Sequence, residues 1–564
     1  MRKPLYRAAA LTLAAGAVVA QPARPSKIKT KSKPGRTTTA PAAAPAAAPA
    51  PPTDWSLNYA ATITPDDLRR HLSVLASDEY EGRETGQKGQ KMAAEYLSKQ
   101  FAELGLAGPV KDSDNPYLQH FTMNRVSVDP STSVKVGGKT FVLNQDFYAL
   151  TDNAFATATP VQPTFIGYGI QTEGYADLGP TAATDLKGKD LVLLLGEPQT
   201  KDSKPLLGKD GKASPFGTAG LPELIARTPA LRPLAPRSTF LIEPTAAAFA
   251  AVPTAYQGVF GREQMSFPDA APRKGQNLFI VSPAMGAALL GTNAAGLAKY
   301  QKAVAAAGKP VASPFKPAPA TVQTVQKTAP FTTENVLGYL EGTDKKDEVL
   351  VVSAHYDHLG LKEGKVYNGA DDDGSGTVSV LEMAQAFAQA KKDGHGPRRS
   401  ILFLANTGEE EGLLGSEYYT SHPVFPLENT VTDLNIDMVG RVDSVHLGKG
   451  DYVYLVGDDK LSSELHTLSE ATNQQYNPVA LDYKYNDPND PERIYYRSDH
   501  YNFAKHQVPV IFYTSGLHPD YHQATDDVDK IDFPALARRD QLVFHTAWAL
   551  ANRDTRVAVD SNKP

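Results

Sequence analysis

Apolar residues in the last part of the chain gather in short unbroken runs, with helical patterns between them. Val349 to Val352, Ile401 to Leu404, Leu434 to Ile436 and Val508 to Phe512 read as strands covered on both faces. Between the first two, Val378, Leu381, Ala384, Gln385 and Ala388 trace the faces of a helix from Thr377 to Ala390. The alternation predicts an α/β domain whose central sheet is mainly parallel and flanked by helices. Nearer the start, Thr64 is placed to cap a helix with Pro65 in its first turn, and Leu68, Leu72 and Leu75 follow at helical spacing. A second helix runs through Met92, Ala93, Tyr96, Leu97 and Phe101 and stops at Gly105. The texture changes from about 155 to 325: runs such as Leu191 to Leu195 alternate with Gly/Pro turns, and Pro310 to Pro319 closes the segment. This reads as a β-rich module inserted at 155–325 into a main domain made of 56–154 and 326–555.

The first residues carry a different signal. Met1, Arg2, Lys3 and Arg7 give a basic start, and Ala8 to Ala20 is an apolar stretch too short to span a bilayer. This predicts a cleaved secretory signal peptide at 1–20. Residues 21–55 are basic and then Ala/Pro-rich, which predicts an extended, disordered tether. No membrane span is expected after cleavage. The chain has 564 residues, 41% of them hydrophobic, and a net charge of -6, an ordinary globular composition spread over a few domains. Mild acidity without a basic stripe excludes a nucleic-acid partner. With no cysteine at all, disulfides, thiolate metal sites, cysteine nucleophiles and a lipoprotein anchor are excluded too. The expected location is periplasmic or secreted; nothing in the sequence fixes an oligomeric state.

Candidate chemistry sits at the ends of the predicted strands, where open α/β sheets form their sites. His355 ends the first strand, and Asp357, two residues on in extended chain, points the same way and can fix the ring tautomer. Asp371, Asp372 and Asp373 stand between glycines in a tight turn before the Thr377 helix, and like charges packed there call for a cation. Glu409, Glu410 and Glu411 follow the apolar Phe403-Leu404-Ala405; burying adjacent carboxylates requires a metal or protonation. Asp437 stands in an apolar run. His522 follows the last strand, with Tyr521 beside it to donate to a developing oxyanion. Taken singly, His355 and Asp357 read equally well as a surface pair, and the others read better as a solvated or calcium-binding acidic loop, a solvated charge run beside a helix, a helix cap or partner of Arg441, and a structural histidine. Taken together, His355, Asp372, Glu410, Asp437 and His522 make a set of imidazoles and carboxylates suited to Zn²⁺. The set is one ligand larger than a single tetrahedral zinc needs, which a bridging carboxylate would explain. Glu409, left over, suits a general base.

These blocks resemble the M28 family of co-catalytic zinc peptidases, which includes bacterial aminopeptidases and glutamate carboxypeptidase II. Gly369 to Gly376 meets the pattern G-A-D-D-x-x-S-G, and Glu409 to Ser416 meets E-E-x-G-L-x-G-S. The resemblance covers about 60–150 and 331–550. It implies a zinc-peptidase fold and two Zn²⁺ ions per chain. Asp372 would bridge the ions and precede a cis peptide bond to Asp373. His355 and Asp437 would complete one ion, Glu410 and His522 the other. Glu409 would be the general base and Tyr521 the phenol near the scissile carbonyl. Ser498, Asp499 and His500, followed by Phe503, match a block that lines the family's substrate cleft. The insert, through Phe165 to Gly169 and Leu186 to Lys189, resembles a protease-associated (PA) domain, placed to cover or extend the cleft and restrict substrate size.

The implied activity is hydrolysis of N-terminal residues from peptides by a metal-activated water. The same fold hosts carboxypeptidases and dipeptidases, for which Arg493 and Arg497 offer a carboxylate clamp. It also hosts single-zinc glutaminyl cyclases and non-catalytic receptor modules. Those lose part of the ligand set or the base; this chain keeps both.

Overall fold

The structure, a computed structural model, describes residues 54–563 except 152–154, 180–181, 257–258, 261–262, 271–276 and 477. The expected signal peptide and nearly all of the expected tether lie outside the described residues. The end of the tether does not: Asp54 accepts a hydrogen bond from Ser56 N at 3.1 Å and caps a short helix, Trp55–Ala60. Among the described residues no helix is long and apolar enough to cross a membrane.

The strands of the large sheet, numbered in chain order, are β1 (Leu118–Val128), β2 (Gln264–Ser266), β3 (Gln326–Leu340), β4 (Lys345–His355), β5 (Arg399–Asn406), β6 (Thr430–Ile436), β7 (Tyr452–Val456), β8 (Ala480–Asp482) and β9 (Val510–Thr514). They lie side by side in the order β8-β7-β9-β6-β4-β5-β3-β1-β2. At the centre β5, β4, β6 and β9 run parallel. The flanks are antiparallel, β3 against β5 and β1 on one side and β7 against β9 on the other. The apolar runs marked the parallel strands, which are buried on both faces; β7 is buried throughout as well, but its Tyr452 and Tyr454 interrupt the aliphatic run. β1 is half-exposed over much of its length and its alternation is diluted.

Four long helices cover one face: α1 (Pro65–Leu75), α2 (Lys88–Glu103), α3 (Gly376–Lys392) and α4 (Phe533–Asn552). Thr64 caps α1 as expected, its hydroxyl accepting from Asp67 N at 3.2 Å. Side chains alternate across β4. Leu350, Val352 and Ala354 enter the core beneath these helices, while Val349 and Val351 pack on the other face with Leu402, Leu404 and Phe503. Each large aliphatic side chain so buried stabilises the fold by about 1.5–3 kcal/mol. Pairing of His355 with Asn406, Ser353 with Asn435 and Ile436 with Tyr513 brings the C-terminal ends of the parallel strands level. That shared edge is where the candidate ligands emerge.

The inserted segment has its own cores and is α/β rather than β-rich. Pro163–Phe165, Asp190–Leu194, Ser238–Ile242 and Leu278–Val281 form a parallel sheet edged by antiparallel Phe147–Leu150. Helices Leu221–Leu231, Pro283–Leu289 and Ala294–Ala307 accompany it. The last two are alanine-rich and carry a narrow apolar stripe, a weak periodic signal. A second, antiparallel sheet joins Lys139–Val142, Ser133–Val136, Ala320–Gln323 and Thr159–Val161. Residues 133–150, assigned to the main domain by sequence, thus pair with the insert, because their partners in both sheets come from it.

Helices α1, α3 and α4 also enclose a polar knot. His71 Nε2 lies 3.6 Å from Glu382 Oε1. Burial lowers the His71 ring to about 4 and raises Glu382 to about 8, with the charges of Asp67 and Asp540 adding to the rise. The contact therefore joins a neutral imidazole to a neutral acid. In the unfolded chain this carboxyl ionises near its ordinary value of about 4.3. The folded state thus holds the extra proton between that value and about 8. Its stability contribution is full at acidic pH and is lost as pH climbs through that window. Glu382→Gln is expected to raise Tm more at about pH 8 than at about pH 5. Equal shifts at both, read by thermal denaturation, would contradict a neutral acid.

Candidate metal centre

Each candidate ligand leaves the level edge of the parallel strands. His355 is the last residue of β4, Asp437 follows β6 directly, and Glu409 and Glu410 come just after β5. His522 lies on the loop after β9, and Asp372 sits in the turn between β4 and α3. The non-glycine residues Met438 and His522 have φ of 58° and 57°, a left-handed backbone that persists only where the surroundings hold it.

The three-acid turn divides its labour. Asp373 accepts from His355 N at 3.3 Å, Gly376 N at 2.8 Å and Met438 N at 3.1 Å, tying β4, α3 and the end of β6 together. Asp371 accepts from Gly440 N at 2.6 Å and faces His518 Nε2 at 3.2 Å. Asp372 alone is aimed at the other candidates, and the peptide bond joining it to Asp373 is cis. So only the middle acid needs a cation.

The two oxygens of Asp372 serve different partners. Oδ1 lies 3.3 Å from His355 Nε2, and Oδ2 lies 3.1 Å from His522 Nε2. His355 Nε2 is also 3.8 Å from Asp437 Oδ1, and His522 Nε2 is 3.1 Å from Glu410 Oε2. A tetrahedral zinc with bonds of about 2.0–2.2 Å has donor–donor edges of about 3.3–3.6 Å. The observed spacings, from 3.1 to 3.8 Å, fall on either side of that range, close enough for donors to converge on shared points. His355 Nε2 and Asp372 Oδ2 are buried and, among the described residues, make no well-aligned hydrogen bond, although polar atoms crowd them. These residues fit a divalent cation.

The electrostatics agree. Burial would push Asp372 up, but His355 and His522 outweigh it and hold its carboxyl well below the usual range. Burial would push His522 down, yet Asp372 and Glu410 carry its ring up to about 10. His355 is likewise raised against burial, chiefly by Glu409. Without a cation the acids recruit protons onto both imidazoles, the positions where a metal would supply charge. Burial first, then Asp437, Glu410 and Asp499, raises Glu409 well above an ordinary carboxyl. A cation in the cluster would lower it again.

Supporting residues differ in part from expectation. His355 Nδ1 sits 3.1 Å from the backbone oxygen of Asp357, and the Asp357 carboxylate is farther, at 3.6 Å. That carboxylate instead accepts from Thr85 Oγ1 at 2.8 Å and Glu409 N at 3.3 Å, linking ligand and base. Ser498, Asp499 and His500 do not line a cleft, for all are buried. Ser498 Oγ donates to Asp437 Oδ2 at 2.7 Å, Asp499 accepts from Ser416 Oγ at 2.5 Å, and His500 stacks on Phe512. A hydrophilic triplet reads as solvent-facing in sequence, whereas here its polar atoms are consumed inside. Arg493 stacks on Tyr496, away from the cluster. Arg497 donates to Tyr521 Oη at 3.1 Å, and the Tyr521 ring stacks on His522. Burial, with Asp372 and Glu410, raises the Tyr521 phenol, so it remains a donor.

Four residues escaped the sequence reading. Buried His358 holds its Nδ1 2.7 Å from Glu410 Oε1 and 3.9 Å from Asp372 Oδ2, and with those two acids it forms a group whose atoms could hold a metal ion. Buried Arg83 donates to the carbonyls of Leu75, Tyr356, Asn368 and Gly369, fixing the turns that carry the site. His518 steadies Asp371 from the side away from the cluster. Asp526 clamps the acidic turn: its carboxylate accepts from Asp371 N at 3.0 Å and Asp372 N at 3.1 Å, and its backbone oxygen from Ala370 N at 3.0 Å. Only His358 had a signal, its spacing from His355.

Residues 335–547 match the family description "Peptidase family M28". This stretch is similar to the M28 peptidases. A protein of Pyrenophora tritici-repentis named "Probable zinc metalloprotease" is 28% identical over 280 residues, 41% of this chain and 54% of that protein. The chain thus spans about half the length of that relative. "Aminopeptidase YwaD" of Bacillus subtilis is 35% identical over 111 residues, 19% of this chain and 22% of that protein. Among solved structures, an aminopeptidase from Aneurinibacillus sp. strain AM-1 superposes with a TM-score of 0.51 at 16% identity, covering 90% of this chain and all of its own. That likeness bears on the fold alone. Within this stretch, Asp526 contacts the backbone of the turn and not the side chains of the candidate ligands. Asp526→Ala is expected to weaken zinc affinity by about 10–100-fold, as loss of an outer partner does, with little change in the folded state. Chelator competition measures the affinity; unchanged binding would rule out the clamp.

Proposed function

We propose that the chain is an exported di-zinc metallopeptidase that acts as an aminopeptidase. The observation that carries the di-zinc reading is the split of Asp372, one oxygen toward His355 and the other toward His522. His355 and Asp437 would hold one Zn²⁺, Glu410 and His522 the other, with Asp372 shared. Such a pair supplies Lewis acidity, which polarises a carbonyl and makes water acidic enough to attack near neutral pH.

The chain's own residues do the rest. Glu409 stands beside the cluster, its backbone held by Asp357. It takes the proton of the attacking water and returns it to the leaving amine. Tyr521, steadied by Arg497, donates to the oxygen that gains charge. Ser498 fixes the unused oxygen of Asp437, so that ligand keeps one orientation.

The surroundings favour an N-terminal substrate. On the Glu409 side, Asp372, Glu409 and Asp437 share a small pocket with Met438, Tyr485, Ile494, Phe512 and Leu517. Apolar walls suit one side chain, and the acids suit a cationic α-amine beside it. Arg497 is the cation on that pocket's lining, and it is engaged with Tyr521. The PA-like identity of the insert belongs to this proposal, as does export, which rests on the basic start and the apolar Ala8 to Ala20.

Glu409→Gln is expected to retain both metal ions by mass spectrometry while kcat falls roughly 10²–10⁴-fold. Near-wild-type kcat would exclude Glu409 as the base. Aminoacyl nitroanilides with an apolar side chain are expected to be cleaved and their N-acetylated forms refused. Cleavage of N-blocked peptides from the C-terminus would support a carboxypeptidase in its place.

A further inference from the structure

On the Glu410 side of the centre lies a wider cleft of about 550 Å³. Glu410 and His522 form its floor. Pro253, Phe260 and Met265 reach it from the insert, and Leu359 and Tyr367 from the other wall. A volume within about 300–1,000 Å³ encloses a molecule the size of a short oligopeptide and no folded chain. Acids line both spaces, so the assignment rests on the apolar walls of the Glu409-side pocket, which take the N-terminal side chain in the proposed reading; this cleft is then left to the leaving-group residues, those C-terminal to the scissile bond. The position of the insert wall therefore decides how long that leaving group can be.

Among the described residues that wall is held by strand pairing, by apolar packing of Met265 and Phe267 with Phe121 and Tyr418, and by one guanidinium. β2, contributed by the insert, pairs antiparallel with β1, Met265 opposite Arg125. The Arg125 side chain then spans the junction. Its Nη1 lies 3.1 Å from Glu84 Oε1 of the main domain and 3.6 Å from Glu263 Oε2 of the insert. Its Nη2 donates to Thr85 O at 2.6 Å, and the guanidinium lies 4.8 Å from the Phe331 ring centre. Thr85 in turn donates to Asp357. One guanidinium thus joins the insert wall, the start of the main domain and the residue that steadies the base. Glu84, Arg125 and Glu263 all line the cleft.

We propose that Arg125 is a specificity-determining latch: by pinning Glu263 to Glu84 it fixes the width of the leaving-group cleft and confines the enzyme to short peptides. The inference rests on the aminopeptidase reading. Arg125→Met keeps the apolar stem near Phe331 and removes both ion pairs; Glu263→Gln removes the insert's half alone, at a residue that is half-exposed.

The experiment compares kcat/KM for a dipeptide and a ten-residue peptide sharing one N-terminal residue, in the zinc-loaded full chain. The wild type is expected to favour the dipeptide. Both substitutions are expected to raise the long-to-short ratio, by up to about fivefold. Arg125→Lys, which restores a charge but not the fork, is expected to fall between. An unchanged ratio in Glu263→Gln, with metal content and Tm retained, overturns the latch; so does a wild type that cleaves both lengths equally well. Should Arg125→Met fail to fold, Glu263→Gln alone decides. If the aminopeptidase reading is wrong, the wild type releases no N-terminal residue from either peptide, an outcome distinct from an unaltered length profile in an active variant.

Discussion

Carboxylates crowded at the ends of buried strands need positive charge, and that need organises this molecule. Asp372, Glu409, Glu410 and Asp437 converge within a few ångströms, where water is scarce and like charges repel. The fold answers in three ways. Backbone amides take the acids that hold the turn, Asp371 and Asp373. The buried guanidinium of Arg83, ringed by carbonyls, lends its charge from behind. What remains is a demand that a divalent cation would meet in full. Stability and chemistry are therefore the same electrostatic problem seen from two sides.

Much of this was legible beforehand, and the reasons are physical. A strand buried on both faces must be continuously apolar, so β4, β5, β6 and β9 announced themselves. A ligand must follow such a strand at the open edge, so His355, Glu410 and Asp437 could be placed without coordinates. The antiparallel flanks were not legible, because a half-wet strand such as β1 shares its composition with loops. Nor was the insert's helical content, since alanine-rich helices bury little and carry a weak stripe.

The supporting layer was the hardest to read. Ser498, Asp499 and His500 look like surface residues in a list of letters, yet each is buried and two are hydrogen-bonded within the centre. Asp526 sits in a polar run that suggests solvent, and its value lies in a contact more than a hundred residues away in sequence. Hydrogen-bond partners distant along the chain leave no local trace. A short motif encodes the candidate ligands, while the scaffolding that aims them is written across the whole length.

The edge of the large sheet governs how this protein can be dissected. Its outermost strand, β2, is lent by the insert and covers the edge of β1 opposite Asn124, Arg125 and Val126. Excising the insert would uncover the amides and carbonyls of β1 around Asn124, Arg125 and Val126, extending an edge on which neighbouring molecules can add strands of their own. A truncated chain would invite self-association before it reported anything about catalysis. The inserted segment is thus joined to the large sheet by shared architecture as well as by sequence, and it shields part of that sheet's edge.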